Sequence, residues 1–185
     1  KSIQLLLNNF KSYIIDEKTF HNKLFFDELW NCKSTIISFG HDIEAAWLLQ
    51  EAAIRINDLS LMQFYQNAAI KIANTIAKFQ DIDGAIWYEY DATNLILNKE
   101  KHWWPQAEAM VGYYNAYQLT GNKKFYELSL GSWSFIKSKL KSPSGEWLWG
   151  IDEKEEPMIR NGKIGPWKGP YHNGRACMEI LKRIR

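Results

Sequence analysis

The chain has 185 residues, 46% hydrophobic and 24% charged, with a net charge of +2. This composition is globular rather than disordered, and the length suits one domain, residues 1–185, with an ordinary core. There is no basic block for nucleic acid and no apolar run of about 18 residues for a membrane span, and two cysteines, Cys32 and Cys177, are too few for a disulfide framework.

Residues 1–15 read as an amphipathic helix (Ile3, Leu6, Leu7, Phe10). The chain begins inside that pattern, at Lys1 and without Met, so its start reads as a cut in a longer protein. Residues 20–26 form a turn followed by a short alternating aromatic stretch, and a loop leads to Gly40-His41-Asp42-Ile43-Glu44-Ala45, which opens a helix over 41–57. Asn57-Asp58 turns the chain into a helix over 61–80. The aromatic form returns in Asp83-Gly84-Ala85-Ile86-Trp87-Tyr88. Next, Trp104-Pro105-Gln106-Ala107-Glu108-Ala109 opens a helix over 105–119 with its proline in the first turn. Thr120-Gly121-Asn122 leads to a helix over 123–140. A third aromatic stretch, Ser144-Gly145-Glu146-Trp147-Leu148-Trp149, precedes the last helix over 171–185, opened by Tyr171-His172-Asn173-Gly174-Arg175-Ala176.

Gly84 and Gly145 lie 61 residues apart, and His21 lies 63 before Gly84. A fixed period means one supersecondary unit stacked repeatedly. Short turns between neighbouring helices make them antiparallel hairpins. The expected fold is therefore all-α: about six helices forming about half of a ring of α-hairpins, an α/α toroid. The helices opening at 41, 105 and 171 line the inside, and their first turns share one end with the aromatic loops.

That end gathers the chemistry. His41 and Glu44 share a helix face at i, i+3, a spacing at which a carboxylate orients an imidazole. Glu108 holds the equivalent place in the next inner helix, four residues after Trp104, and His172 opens the last one, three residues before Arg175. Alone, His41 reads as a capping or structural residue and the two glutamates as helix-dipole partners. Together, at equivalent repeat positions beside Trp104 and Trp167, they read as a site. Aromatic residues make up 15% of the chain, with nine Trp, several in short clusters such as Trp103-Trp104; such faces stack on sugar rings. Trp47 and Trp133 read as core, and His21 and His102 as surface or structural loop residues. No HExxH, Cys-x-x-Cys, P-loop, GxGxxG or Gly-x-Ser-x-Gly pattern is present.

Residues 38–45, Lys101-His102-Trp103-Trp104-Pro105-Gln106-Ala107-Glu108-Ala109, Gly145–Gly150, residues 163–168 and residues 170–175 resemble, in order, segments of the cellobiose 2-epimerases. They are also similar to the N-acylglucosamine 2-epimerases, within one superfamily. The resemblance implies an (α/α)6 barrel of which this chain is the C-terminal half. It implies that His41 and His172 exchange the proton at C2 of a reducing-end aldose through an enediolate, supported by Glu44 and Glu108. Trp104, Trp167, Trp103 and Arg175 would then bind the sugar, with no metal and no cofactor. A further histidine and an arginine would come from the first half. The expected setting is cytoplasmic and the partner a disaccharide or hexose, with self-association or pairing with the missing half at the open edge. The alternatives are a glycoside hydrolase on the same toroid, using Glu44 and Glu108, and a non-catalytic sugar-binding fragment.

Overall fold

The computed structural model describes residues 1–162 and 164–185. Among them are six α-helices: α1 (Ser2–Asn9), α2 (Phe39–Ile56), α3 (Leu59–Ile76), α4 (Trp103–Thr120), α5 (Lys123–Phe135) and α6 (Tyr171–Arg183). The helical expectation holds, with different ends. α2 and α4 start two residues earlier than the periodicity suggests. α1 and α5 each finish in a wide π-helical turn, Phe10–Ile14 and Ile136–Leu140, and α3 finishes in a 3-10 turn, Ala77–Phe79. No helix among the described residues is long and apolar enough to cross a membrane.

The two short connections explain the hairpins. α2 stops at Asn57, which takes the left-handed conformation (φ 55°), and Asp58 then caps α3 by accepting from the Leu61 N–H. α4 stops at Gly121 (φ 68°), and Asn122 caps α5 through the Lys124 N–H. α2, α4 and α6 pack side by side, with α3 and α5 behind them. The α2–α4 crossing is close because of Gly112, where a Cβ would lie 2.6 Å from the Ile43 side chain.

Each outer helix runs straight into one copy of the repeat. Isolated antiparallel bridges pair Ile15 with Asn22, Gln80 with Ile86, and Lys141 with Trp147. The turns between them need a left-handed residue, supplied by Phe20 (φ 58°), Gly84 (φ 91°) and Gly145 (φ 91°). Two small sheets, unforeseen in the helical reading, sit at the same end of the molecule. β1 (Ile36–Ser38), β2 (Glu89–Asp91) and β3 (Ile96–Asn98) form an antiparallel sheet; β4 (Lys101–His102) pairs with β5 (Gly150–Ile151).

The core has three parts. Phe39, Ile43, Ile72, Ile76, Tyr113 and Phe125 fill the space among α2, α3, α4 and α5. Trp47, Trp103, Val111, Phe135, Leu140, Trp147 and Ala176 fill that under α6. Leu7, Leu49, Ala53, Leu61 and Tyr65 join α1 to α2 and α3, and the Tyr65 hydroxyl donates to the Leu7 carbonyl. Trp47 is core, as expected; Trp133 is half-buried against the second cluster. The two ends of the arc remain apolar and exposed: Ile3, Leu5 and Leu6 on α1, and Met178, Leu181 and Ile184 at α6.

Candidate active site

The inner helices open where the aromatic hairpins end, and one device locks each opening to its hairpin. Asp42 accepts from the Asn22 backbone N–H and bonds the His21 ring, both at 2.6 Å. Gln106, at the equivalent place in α4, bonds both the N–H and the carbonyl of Ile86, at 2.8 and 2.9 Å. Asn173 in α6 donates to Glu146 at 3.2 Å. His21 is thus structural, as expected for one of its two readings. Burial pushes the Asp42 carboxyl upward in pKa, against the pull of His21 and the Asn22 N–H.

With the openings fixed, the next residues converge. His41 bonds through Nδ1 to the Ser38 hydroxyl at 2.7 Å, and its ring packs on Trp104 with centroids 4.7 Å apart. Ser38 is itself held in β1 opposite Glu89. Trp104 lies against the first turn of α2 because residue 40 is glycine: a Cβ there would lie 2.4 Å from the indole. His172 packs on the same indole, 5.3 Å away, and meets Glu108 through Nδ1 at 2.7 Å. Each imidazole therefore has Nδ1 fixed by the protein and Nε2 left over. His41 is exposed at the mouth. The protein around it still withholds water from the charged ring, and His172 adds repulsion; its pKa falls below the ordinary imidazole value, with Glu108 opposing.

Beneath the imidazoles lies a buried charge cluster. Glu108 is 0% exposed. One of its oxygens accepts from the Trp47 indole N–H at 3.0 Å; the other faces His172 and accepts from Arg175 at 2.6 Å. Arg175 also donates to Glu44 at 2.6 Å. A buried carboxylate is tolerable only when paired and hydrogen-bonded in this way. Burial, then the charge of Glu108, raises the Glu44 pKa while Arg175 opposes; Arg175 is held charged, its own burial being outweighed by the two carboxylates.

The geometry revises several residue roles. Glu44 does not orient His41; Ser38 does, and Glu44 pairs with Arg175. Arg175, expected at the sugar, is engaged by two carboxylates and lies over the Tyr171 ring at 4.1 Å, an arrangement that ties Glu44 to Glu108. Trp103 lines the cleft but is only 1% exposed; its ring meets His172 edge-on at 5.5 Å and lies under the Lys168 ammonium. Trp104 forms the floor, and Trp167 stands at the rim, 88% exposed. His102 is not a loop-surface residue: it ends β4 and lines the cleft with Tyr88 and Trp149. Trp149, one of the clustered tryptophans, lines the cleft as well; Ser38 and Tyr88 are not singled out by the sequence, although Ser38 stands three residues before His41, a spacing that signals a side-chain pair across a helix start.

The cleft so formed is about 390 Å³, lined by His41, Tyr88, His102, Trp104, Trp167 and His172 among others. Two groups of described residues have metal-ligating spacing, Glu44–Glu108–His172 and Asp81–Asp83–Glu155. A protein cation already sits in each: Arg175 at 2.6 Å from two carboxylates in the first, and Lys101 at 3.0, 2.8 and 2.7 Å from the three in the second. Open toward the cleft is a pair of oriented imidazoles over an aromatic floor. That suits proton transfer at two points of a polar, ring-shaped ligand.

A model of the N-acylglucosamine 2-epimerase family matches residues 2–176. The chain is 40% identical over 177 residues to a cellobiose 2-epimerase of Bacteroides fragilis, covering 95% of this chain and 45% of that protein. It is also 40% identical to a cellobiose 2-epimerase of Dictyoglomus turgidum, covering 100% of this chain and 47% of the relative. Among solved structures, a sugar epimerase from a ruminal bacterium superposes with a TM-score of 0.91 at 36% identity, covering 97% of this chain and 46% of that one. The chain thus spans about half the length of the curated relatives it matches.

Proposed function

Because the chain belongs to the N-acylglucosamine 2-epimerase family, we propose that it carries the proton-handling part of a carbohydrate 2-epimerase acting on the reducing-end aldose of a disaccharide such as cellobiose. The observation that carries this reading is the pair His41 and His172 on one indole, each with Nδ1 anchored inside the protein. Epimerisation at C2 needs a base on one face of the carbon and an acid on the other. The ring first opens to the free aldehyde. One imidazole then takes the C2 proton, whose electron pair moves into the C1 carbonyl to give an enediolate. The other imidazole delivers a proton to the opposite face, and the enediolate collapses to the aldehyde of the epimer. No redox change occurs. His41, whose surroundings favour the neutral ring, suits the base. His172, with Nδ1 on the buried Glu108, suits the facing acid, and the roles exchange in the reverse direction.

Glu108 and Glu44 hold the frame. Arg175 ties them together, so α2, α4 and α6 share one set of ion pairs directly beneath the imidazoles. Two-carboxylate hydrolysis of a glycosidic bond finds less support here. It needs both groups to flank the bond, whereas Glu108 is sealed and both of its oxygens are occupied.

The site is proposed to be completed by further hairpins of the ring. An apolar groove between α1 and α2, lined by Leu6, Phe10, Leu24, Leu48 and Leu49, runs up to His41 and Glu44, and a neighbouring inner helix would fill it. Product analysis tests the reading. The protein that carries this chain, given cellobiose, yields the C2 epimer, glucosyl-mannose, and no free glucose. Released glucose without the epimer points to hydrolysis and contradicts the proposal.

A further inference from the structure

One wall of the cleft is not used by the proton-handling pair. His41 and His172 both pack on Trp104, whereas the ring neighbours of His102 include Tyr88 and Trp149. Tyr88 and His102 stack nearly face to face, with centroids 3.9 Å apart and planes 17° apart, and Tyr88 stands edge-on to Trp104 at 6.5 Å. His102 therefore lies one aromatic ring further along the cleft than the reacting pair. Its position is the N-cap of α4, where a Ser, Thr, Asp or Asn would bond the first free N–H groups. The His102 side chain makes no such bond. It turns to the cleft instead, with Nε2 held 2.8 Å from Glu100 Oε2. Glu100 is fixed in turn by its backbone N–H on the Asn98 side chain.

An ionised carboxylate only accepts, so Nε2 carries the proton, and a neutral ring then presents Nδ1 as a bare acceptor. Burial favours that neutral ring, with Glu100 opposing. Nδ1 bonds no described group and is not among the sealed polar atoms, although the residue is only 9% exposed. An oriented acceptor in an otherwise aromatic wall is the usual means by which a sugar site fixes orientation: ring faces stack, and a few polar atoms read hydroxyls.

Resting on the reading of the site as a disaccharide epimerase, we propose that His102, aimed by Glu100 and Tyr88, accepts a hydrogen bond from a hydroxyl of the sugar ring that does not react, and so sets a preference for disaccharide over monosaccharide.

The test uses the protein that carries this chain and two sugars, cellobiose and glucose. Dissociation constants come from tryptophan fluorescence and KM from epimer formation. His102→Leu and His102→Gln should lower the cellobiose-to-glucose preference by about three- to tenfold, the worth of one neutral hydrogen bond, with the change in Kd and KM rather than kcat. His102→Asn, whose amide reaches the position of Nδ1, should keep the preference within about twofold, since the same single bond is retained. Equal losses on both sugars in all three variants, or a wild-type protein that binds glucose as tightly as cellobiose, would overturn the proposal. The binding arm also separates the two readings: a wild type that forms no epimer sinks the reaction, and a preference lost in Kd on substitution still leaves the role of His102 standing, whereas variants that bind normally but lose kcat contradict that role.

Discussion

At the scale of single residues, the site separates groups that face the cleft from groups that hold them. That His41, Glu44, Glu108 and His172 come together is legible because they stand at equivalent points of a repeat. Their partnerships are not. Arg175 reaches Glu108 and Glu44, which lie 67 and 131 residues away in sequence. No local spacing announces such a bond, and without it an arginine beside a histidine reads as a ligand contact. Ser38 was missed for the opposite reason: it is close to His41 but belongs to a strand, outside the helical periodicity. A base must be neutral to act, and the His41 ring's pKa is lowered by withheld solvation and by His172. Activity governed by it is therefore retained as pH falls to the ordinary imidazole value of 6.5 and is lost only below it. A pH profile of kcat/KM should place the acid limb below 6.5; a limb above that value contradicts the assignment of His41 as base.

At the scale of elements, the repeat was the most legible feature. Helix existence followed from apolar periodicity, and the hairpin turns from Asn57-Asp58 and Gly121-Asn122, whose conformations supply the stop and the next cap. The wide turns that end α1 and α5 were not legible, because propensity does not distinguish a final α turn from a π turn. Nor was the device at the start of each inner helix, since Asp42, Gln106 and Asn173 differ in type and share only a place. The Gln106 amide is the most exposed to test. It is fully buried and bonds Ile86 twice and the His102 carbonyl once. Gln106→Leu strands buried backbone groups and should cost about 1–3 kcal/mol, read as a lower midpoint in urea with an unchanged m-value. A change below the error of that measurement would show that the lock contributes nothing.

At the scale of the molecule, three inner helices side by side form an arc. Half a ring was legible from the count of hairpins; the two small sheets were not, because strands of two or three residues leave no periodicity. The sheets matter, because β1 fixes Ser38 and β4 fixes His102 at the mouth of the cleft. The relatives carry about as much chain again, and the apolar ends of the arc are where such a remainder would pack. On the proposed mechanism, one of two imidazoles anchored within this arc takes the proton from one face of C2 and the other delivers a solvent-derived proton to the opposite face. The most direct measurement is exchange of the C2 proton of cellobiose in heavy water, catalysed by the protein that carries this chain. Wild type should incorporate one deuterium at C2 of both epimers. His41→Ala and His172→Ala should each slow this by about 10²–10⁴-fold, the usual worth of a positioned acid or base. Exchange at the wild-type rate in either variant would contradict the account.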